Sequence, residues 1–460
     1  MSRRQVDGPS AVESYKLELR DAISQFLPHR GLPLLTKDGR VRWTSRLLAT
    51  VAILMAWGSG PTLLDRFALA RAALVDIYRT RRRPGSSVEG LFRALASHGQ
   101  KVLAVLCEHW RKCVREVAGD HWQTDDWVLF GVDGSKFDCP RTDANEKGLG
   151  VSGRNNSGPQ HLLTCLFHIT SGLLWDWRRD GIHGQGERSQ FMKMLDLLPL
   201  NAMLLADAGF TGYELLKALM NRGNSFVIRV GANVKLIRKL GYAMEEHKHT
   251  VYLWPLDKQG RNKRSMPKRL DKVQRPLVLR LIRLKDAKGR PVVLLTNVLD
   301  PFKLGDETAA RMYRLRWGIE VMWRGLKQTM GHHKLLSRTP QRAGMELDWA
   351  MAGLWMLQLL GGSRMTEAGR SPDCHSPAQT LRVVRAALSG RRRRRKSLWM
   401  ELGLAVKDTY HRTASKNARH FPKKRPQTPP GVPDARMASA VEKRLIQRIL
   451  AQPPPDSAAA

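Results

Sequence analysis

A chain of 460 residues, 42% of them hydrophobic, has apolar mass for cores in more than one domain. Its 78 Lys and Arg against 41 Asp and Glu leave a formal charge of +37, a field whose natural partner is a polyanion. The five cysteines form no CxxC pair, which excludes a cysteine zinc framework and fits a reducing compartment.

The first ten residues, MSRRQVDGPS, lack the apolar core of a secretory signal. Residues 47–57 are the longest apolar stretch, far short of the ~20 residues a membrane-spanning helix needs, so they read as a buried helix. Gly58-Ser59-Gly60-Pro61 breaks that pattern, and a second helix is expected over residues 62–78. A basic linker follows over residues 79–85, then a third helix opening at Ser87. Residues 1–120 contain no base-reading motif. They read either as a helical bundle with a basic face or as a helical domain that grips a DNA end.

Near residue 125 the texture changes. Residues 127–132, 161–170, 173–177, 203–206 and 226–230 read as strands, with helices over 187–198 and 212–221. This order is α/β, with a central mixed sheet. Residues 232–290 interrupt it as a β-rich insertion, with strands at 251–254 and 277–282 around a basic stretch at 258–272. A strand over 291–298 and a long helix over 306–330 close the core, set at residues 121–335. A C-terminal helical region (336–415) has helices at 345–360 and 377–388. A basic, Pro-rich tail (416–460) is expected to be mostly disordered, with one short helix near 437–451.

Asp133 and Asp207 each follow an apolar strand, and strand ends of an α/β sheet are where side chains converge on a cleft. Two carboxylates there can hold divalent cations, which suits phosphodiester chemistry. The helix that follows carries Tyr313, Arg316, Glu320 and Lys327, spaced Y-x2-R-x3-E-x6-K. On a continuous α-helix they fall near 0°, about −60°, about −20° and about −40°, on one face. An amphipathic helix would give that face Leu and Ala; here it holds a carboxylate, two cations and a phenol. A solvated face of ion pairs is the competing reading, with Arg316 and Glu320 four residues apart.

On these residues the chain resembles the bacterial cut-and-paste insertion-sequence transposases with a DDE triad, in the branch with a Tyr-Arg-Glu-Lys signature. Asp133-Gly134-Ser135 resembles the first-acid motif and Asp207-Ala208-Gly209-Phe210 the second. The resemblance covers residues 125–335. It implies a ribonuclease H-like core with a β-rich insertion before the glutamate, and two Mg²⁺ or Mn²⁺ ions held by Asp133, Asp207 and Glu320. It also implies a homodimer on double-stranded DNA, bringing together paired terminal inverted repeats and target DNA, in the bacterial cytoplasm at the nucleoid. Tyr313, Arg316 and Lys327 would contact phosphates, Arg as a fork and Lys as a point charge. Arg229, at a strand end, is a further candidate for DNA.

One departure concerns the hairpin step, for which some members use a Trp late in the insertion. Trp254 is the sole Trp of residues 232–290 and reads as core. Gly181 to Gly186, before Glu187, has no Walker lysine and reads as a flexible turn. His247, His249, His332 and His333 lack partners at ligand spacing and read as non-metal histidines. The six cations of residues 391–396 suit non-specific phosphate contact. The alternatives to a transposase are an inactive DNA-binding relative and a metal-dependent nuclease of the same fold.

Overall fold

The structure, a computed structural model, describes residues 11–35, 43–78, 84–151, 158–241, 249–255, 275–286, 288–389, 396–408 and 431–451. The basic stretch at 258–272, His247, and most of the linker at 79–85 and the run at 391–396 lie outside the described residues.

Helices lead the chain: α1 (Ala11–Gln25), α2 (Ser45–Trp57), α3 (Leu63–Ile77), α4 (Val88–Ala94) and α5 (Gln100–Ala118). Thr44 caps α2, Thr62 and Asp65 form a capping box on α3, and the Ser87 side chain caps α4, so each start is set by a short oxygen-bearing side chain. Then come β1 (Val128–Asp138), α6 (Asp143–Leu149), β2 (Gln160–His168), β3 (Leu173–Gly181), α7 (Glu187–Met192), β4 (Ala202–Ala206), α8 (Tyr213–Asn221) and β5 (Ser225–Arg229). The β-rich segment supplies β6 (Lys235–Arg238), β7 (Thr250–Leu253) and β8 (Leu277–Lys285), followed by β9 (Pro291–Thr296). The remainder is α9 (Asp306–Leu315), α10 (Trp317–Arg324), α11 (Pro340–Glu367), α12 (Pro377–Leu388), α13 (Leu398–Gly403), β10 (Asp434–Met437) and α14 (Ala440–Leu450).

Two expectations are corrected. β1 does not end before Asp133 but runs to Asp138, so this acid lies within a strand. The Asp-Gly pair, a turn signal in isolation, is held extended. The helix expected over 306–330 is α9, a break at Arg316, α10 and a π-helical turn over Gly325–Thr329, so one helical period does not relate all four signature residues. In the tail, α14 falls where the one short helix was expected, β10 was not expected, and residues 416–430 and 452–460 lie outside the described residues.

The chain divides into two compact units. The first comprises Met1–Thr124, Asp133–Met194 and Trp317–Tyr410. Its centre is α11, buried along most of its length, which accounts for its lack of one-sided apolar periodicity. α2 crosses it so closely at Gly353 that a Cβ there would fall 2.7 Å from that of Ala56, and the Trp57 indole donates to the Gly353 carbonyl at 2.9 Å. Buried Asp348 fastens α11 to the hairpin β2–β3: it accepts from Trp177 and, in a two-pronged ion pair, from Arg179. The second unit comprises Asp125–Val132, Leu195–Arg316 and His411–Ala460. Its strands lie in the order β10-β6-β7-β8-β9-β5-β4-β1. β1, β4 and β5 are parallel, β5 to β6 alternate antiparallel through β9, β8 and β7, and β10 joins β6 in parallel. Trp254 packs here with Ile237, Leu240, Tyr252 and Ile446, as a core residue.

Candidate active site

In the first unit, β1 carries Asp133 and α10 carries Glu320, both half-buried. α10 turns Ile319, Met322 and Trp323 inward, which leaves Glu320 on its flank. One turn beyond Glu320, the Trp323 indole N–H donates to Asp133 Oδ2 at 3.0 Å, and its ring lies 5.9 Å from that of Phe137. The π-helical turn then delivers Lys327 to the same strand. Its ammonium donates to the Lys136 carbonyl at 2.7 Å and lies 4.7 Å from the centre of the Phe137 ring. The helix bearing the third acid is therefore fastened along the strand bearing the first. Trp323 is a contact to Asp133 that helix spacing alone did not single out.

Glu187 belongs to this neighbourhood. A Cβ on Gly134 would fall 2.2 Å from Glu187 Oε1, so its carboxyl occupies the place a side chain would take beside Asp133. The Gly-rich turn before Glu187 is pinned: Asp180 accepts the N–H groups of Gly181 and Gln185 at 2.8 and 2.9 Å. Those donors are committed to Asp180 and form no phosphate cradle.

In the second unit, Asp207 ends β4 and caps a short 3₁₀ turn, accepting from the Gly209 N–H at 2.8 Å. Arg229 ends β5. Tyr313, on α9, has its phenol pushed up by burial and drawn back by Arg316 and Arg229, with Asp207 acting in the same sense as burial. The Arg316 guanidinium lies 5.8 Å from the Tyr313 ring centre. Four of the seven singled-out residues thus share one electrostatic neighbourhood in this unit, and Asp133, Glu320 and Lys327 belong to the other.

Among the described residues, no three His, Cys, Asp or Glu side chains are grouped as a preformed metal cage. His332 is buried, held about 3.0 Å from the Ala56 carbonyl and pushed down to about 4, so it stays neutral. The donors Asp133, Asp207 and Glu320 offer are hard carboxylate oxygens, which fit Mg²⁺ or Mn²⁺ better than softer metals. Among the described residues, no helix is long and apolar enough to cross a membrane.

The chain is 25% identical over 282 residues to Transposase InsG for insertion sequence element IS4 of Escherichia coli (strain K12), covering 57% of this chain and 61% of that protein. It is 24% identical over 180 residues to the putative transposase for insertion sequence element IS4SA of Synechocystis sp., covering 38% of this chain and 47% of that protein. A solved structure of piggyBac transposase in a synaptic complex with hairpin DNA aligns at TM-score 0.41 and 13% identity, covering 90% of this chain and 86% of that one. Residues 183–356, which include Asp207, Tyr313, Arg316, Glu320 and Lys327, match the transposase DDE domain.

Proposed function

We propose that this protein is a DNA transposase of the insertion-sequence type, cleaving at the ends of its element and joining them to target DNA. The observation that carries the reading is the fastening of the Glu320 helix to the Asp133 strand by Trp323, within a chain that matches the DDE domain. Parallel β1, β4 and β5, together with the antiparallel hairpin β2–β3 that follows β1, support a ribonuclease H-like core. In this reading Asp133, Asp207 and Glu320 hold two Mg²⁺ or Mn²⁺ ions. The lack of a preformed cage among the described residues is compatible with that, because Mg²⁺ is commonly held by one or two carboxylates with water and substrate phosphate. When bound, the ions sharpen the attacking oxygen and stabilise the leaving one.

The chain's own residues do the rest. Water attacks the phosphodiester at the element's end, a P–O bond to the 3′ oxygen breaks, and a 3′-hydroxyl is released. That hydroxyl attacks a target phosphodiester; one P–O bond forms as another breaks. Arg316 and Arg229 offer planar forks to phosphate oxygens, with Tyr313 between them as a hydroxyl donor. Lys327 adds a point charge, one of its three N–H donors being engaged by Lys136. Residues 1–120 grip the DNA end, and the protein works as a homodimer on paired terminal repeats in the bacterial cytoplasm, at the nucleoid.

The test uses purified protein, Mg²⁺ and labelled duplex from the DNA bordering the coding region. Asp133→Ala, Asp207→Ala and Glu320→Ala are each expected to lower cleavage by more than about a hundredfold while keeping low-salt DNA binding. An Asp133→Ala protein that cuts as well as the parent ends the reading. Cutting without joining to target identifies a nuclease, and salt-sensitive binding without cutting identifies a DNA-binding relative.

A further inference from the structure

Arg280 lies on β8, in the β-rich segment, and is 5% exposed. Its strand neighbours Leu279, Leu281 and Ile282 are buried, so an apolar side chain would be the less costly occupant unless the guanidinium does something specific. Its Nη1 donates to the Leu304 carbonyl at 2.7 Å and reaches those of Asp300 and Val298 at 3.4 and 3.5 Å. Its Nη2 pairs with the carboxylate of Asp306. These partners make up the loop from β9 to α9, and Asp306 is the first residue of α9. The N-cap of that helix, Gly305, has no side chain to cap it, so the Arg280–Asp306 pair anchors the first turn.

The other end of α9 carries Tyr313, and Arg316 follows as its C-cap. A ten-residue helix is stiff, so fixing its first turn fixes where its last turn points. We propose that Arg280 is a positioning residue. It ties the β-rich segment to α9 and thereby sets Tyr313 and Arg316 beside Asp207 and Arg229. The inference rests on the reading of Tyr313 and Arg316 as DNA phosphate contacts, and it gives the β-rich segment a part in holding DNA that needs no contact of its own.

A double-mutant cycle tests it, with binding of the labelled bordering duplex read by fluorescence anisotropy without metal. Arg316→Ala is expected to weaken binding about tenfold, as loss of a phosphate contact. Arg280→Met is expected to weaken it several-fold when Arg316 is present and less than about twofold when Arg316→Ala is, because coupled residues do not add. Asp306→Asn, at a half-exposed side chain, breaks the same link and is expected to show the same non-additivity even if Arg280→Met does not fold. Equal losses in both backgrounds, or no loss in either, overturn the positioning role. Undiminished binding by Arg316→Ala instead overturns the phosphate reading and takes this inference with it.

Discussion

At the scale of single residues, the first acid is held by a neighbour of the third. An indole N–H that reaches a carboxylate fixes one oxygen and so orients the other, which suits the metal-holding role proposed for Asp133. Trp323→Phe keeps an aromatic ring against Phe137 but removes the donor. A hydrogen bond to a charged group is worth about 1.5–3 kcal/mol, so unfolding in urea is expected to show a loss at the lower end of that range. Cleavage is expected to fall about tenfold or more with DNA binding unchanged. Equal cleavage by Trp323→Phe and parent would reduce Trp323 to packing. The Asp-Gly pair was legible as a candidate motif, but the reason for its glycine was not. Gly134 makes room for the carboxyl of Glu187, more than fifty residues downstream, and no local pattern encodes that approach.

Among the elements, long one-sided or wholly apolar runs were the legible part. α2, α3, β4 and β5 fall where capping residues and apolar stretches place them, and β1 starts where its apolar stretch does. β6 and β10 were not foreseen. Each has four residues with basic or acidic side chains among them, and their partners come from distant parts of the chain: β10 pairs with β6 across about two hundred residues. The helix break at Arg316 and the π-helical turn escaped as well: Gly318 and Gly325 are weak points of a helix, but a glycine alone does not say whether the helix breaks, widens or continues. The short tail helix was legible, but not its packing: Arg436 pairs with Glu442 and Ile446 enters the core beside Tyr252 and Trp254. Ile446→Ala removes a side chain that is 1% exposed and is expected to cost about 2–4 kcal/mol in the second unit, read as a lowered urea midpoint. A midpoint unchanged by Ile446→Ala would show that α14 adds nothing to that core.

The whole molecule combines a charge of +37 with buried neutral histidines, and the two respond to acid in the same direction. His168, His332 and His375, all in the first unit, are pushed by burial from 6.5 to about 4. Above about pH 6.5 they are neutral in both folded and unfolded chains and contribute no pH dependence. As pH falls from about 6.5 towards about 4 the unfolded chain takes up their protons and the folded chain does not. Stability then declines by about 1.4 kcal/mol per pH unit for each histidine once unfolded-state protonation is complete. Asp176 and Glu346, raised by burial, act oppositely: from their raised folded values down to 3.8 and 4.5 the folded chain takes up their protons first, which offsets part of the histidine loss. Added positive charge deepens the loss by self-repulsion. Melting temperatures at constant ionic strength should therefore hold level from pH 8 to 7 and drop through pH 6 and 5. His332→Gln can keep a donor to the Ala56 carbonyl while staying neutral, and it should make the drop shallower than the parent's. A His332→Gln protein whose melting temperature falls as steeply with acid as the parent's would mean that His332 protonates in place, so that its burial beside the Ala56 carbonyl is not a barrier to charge.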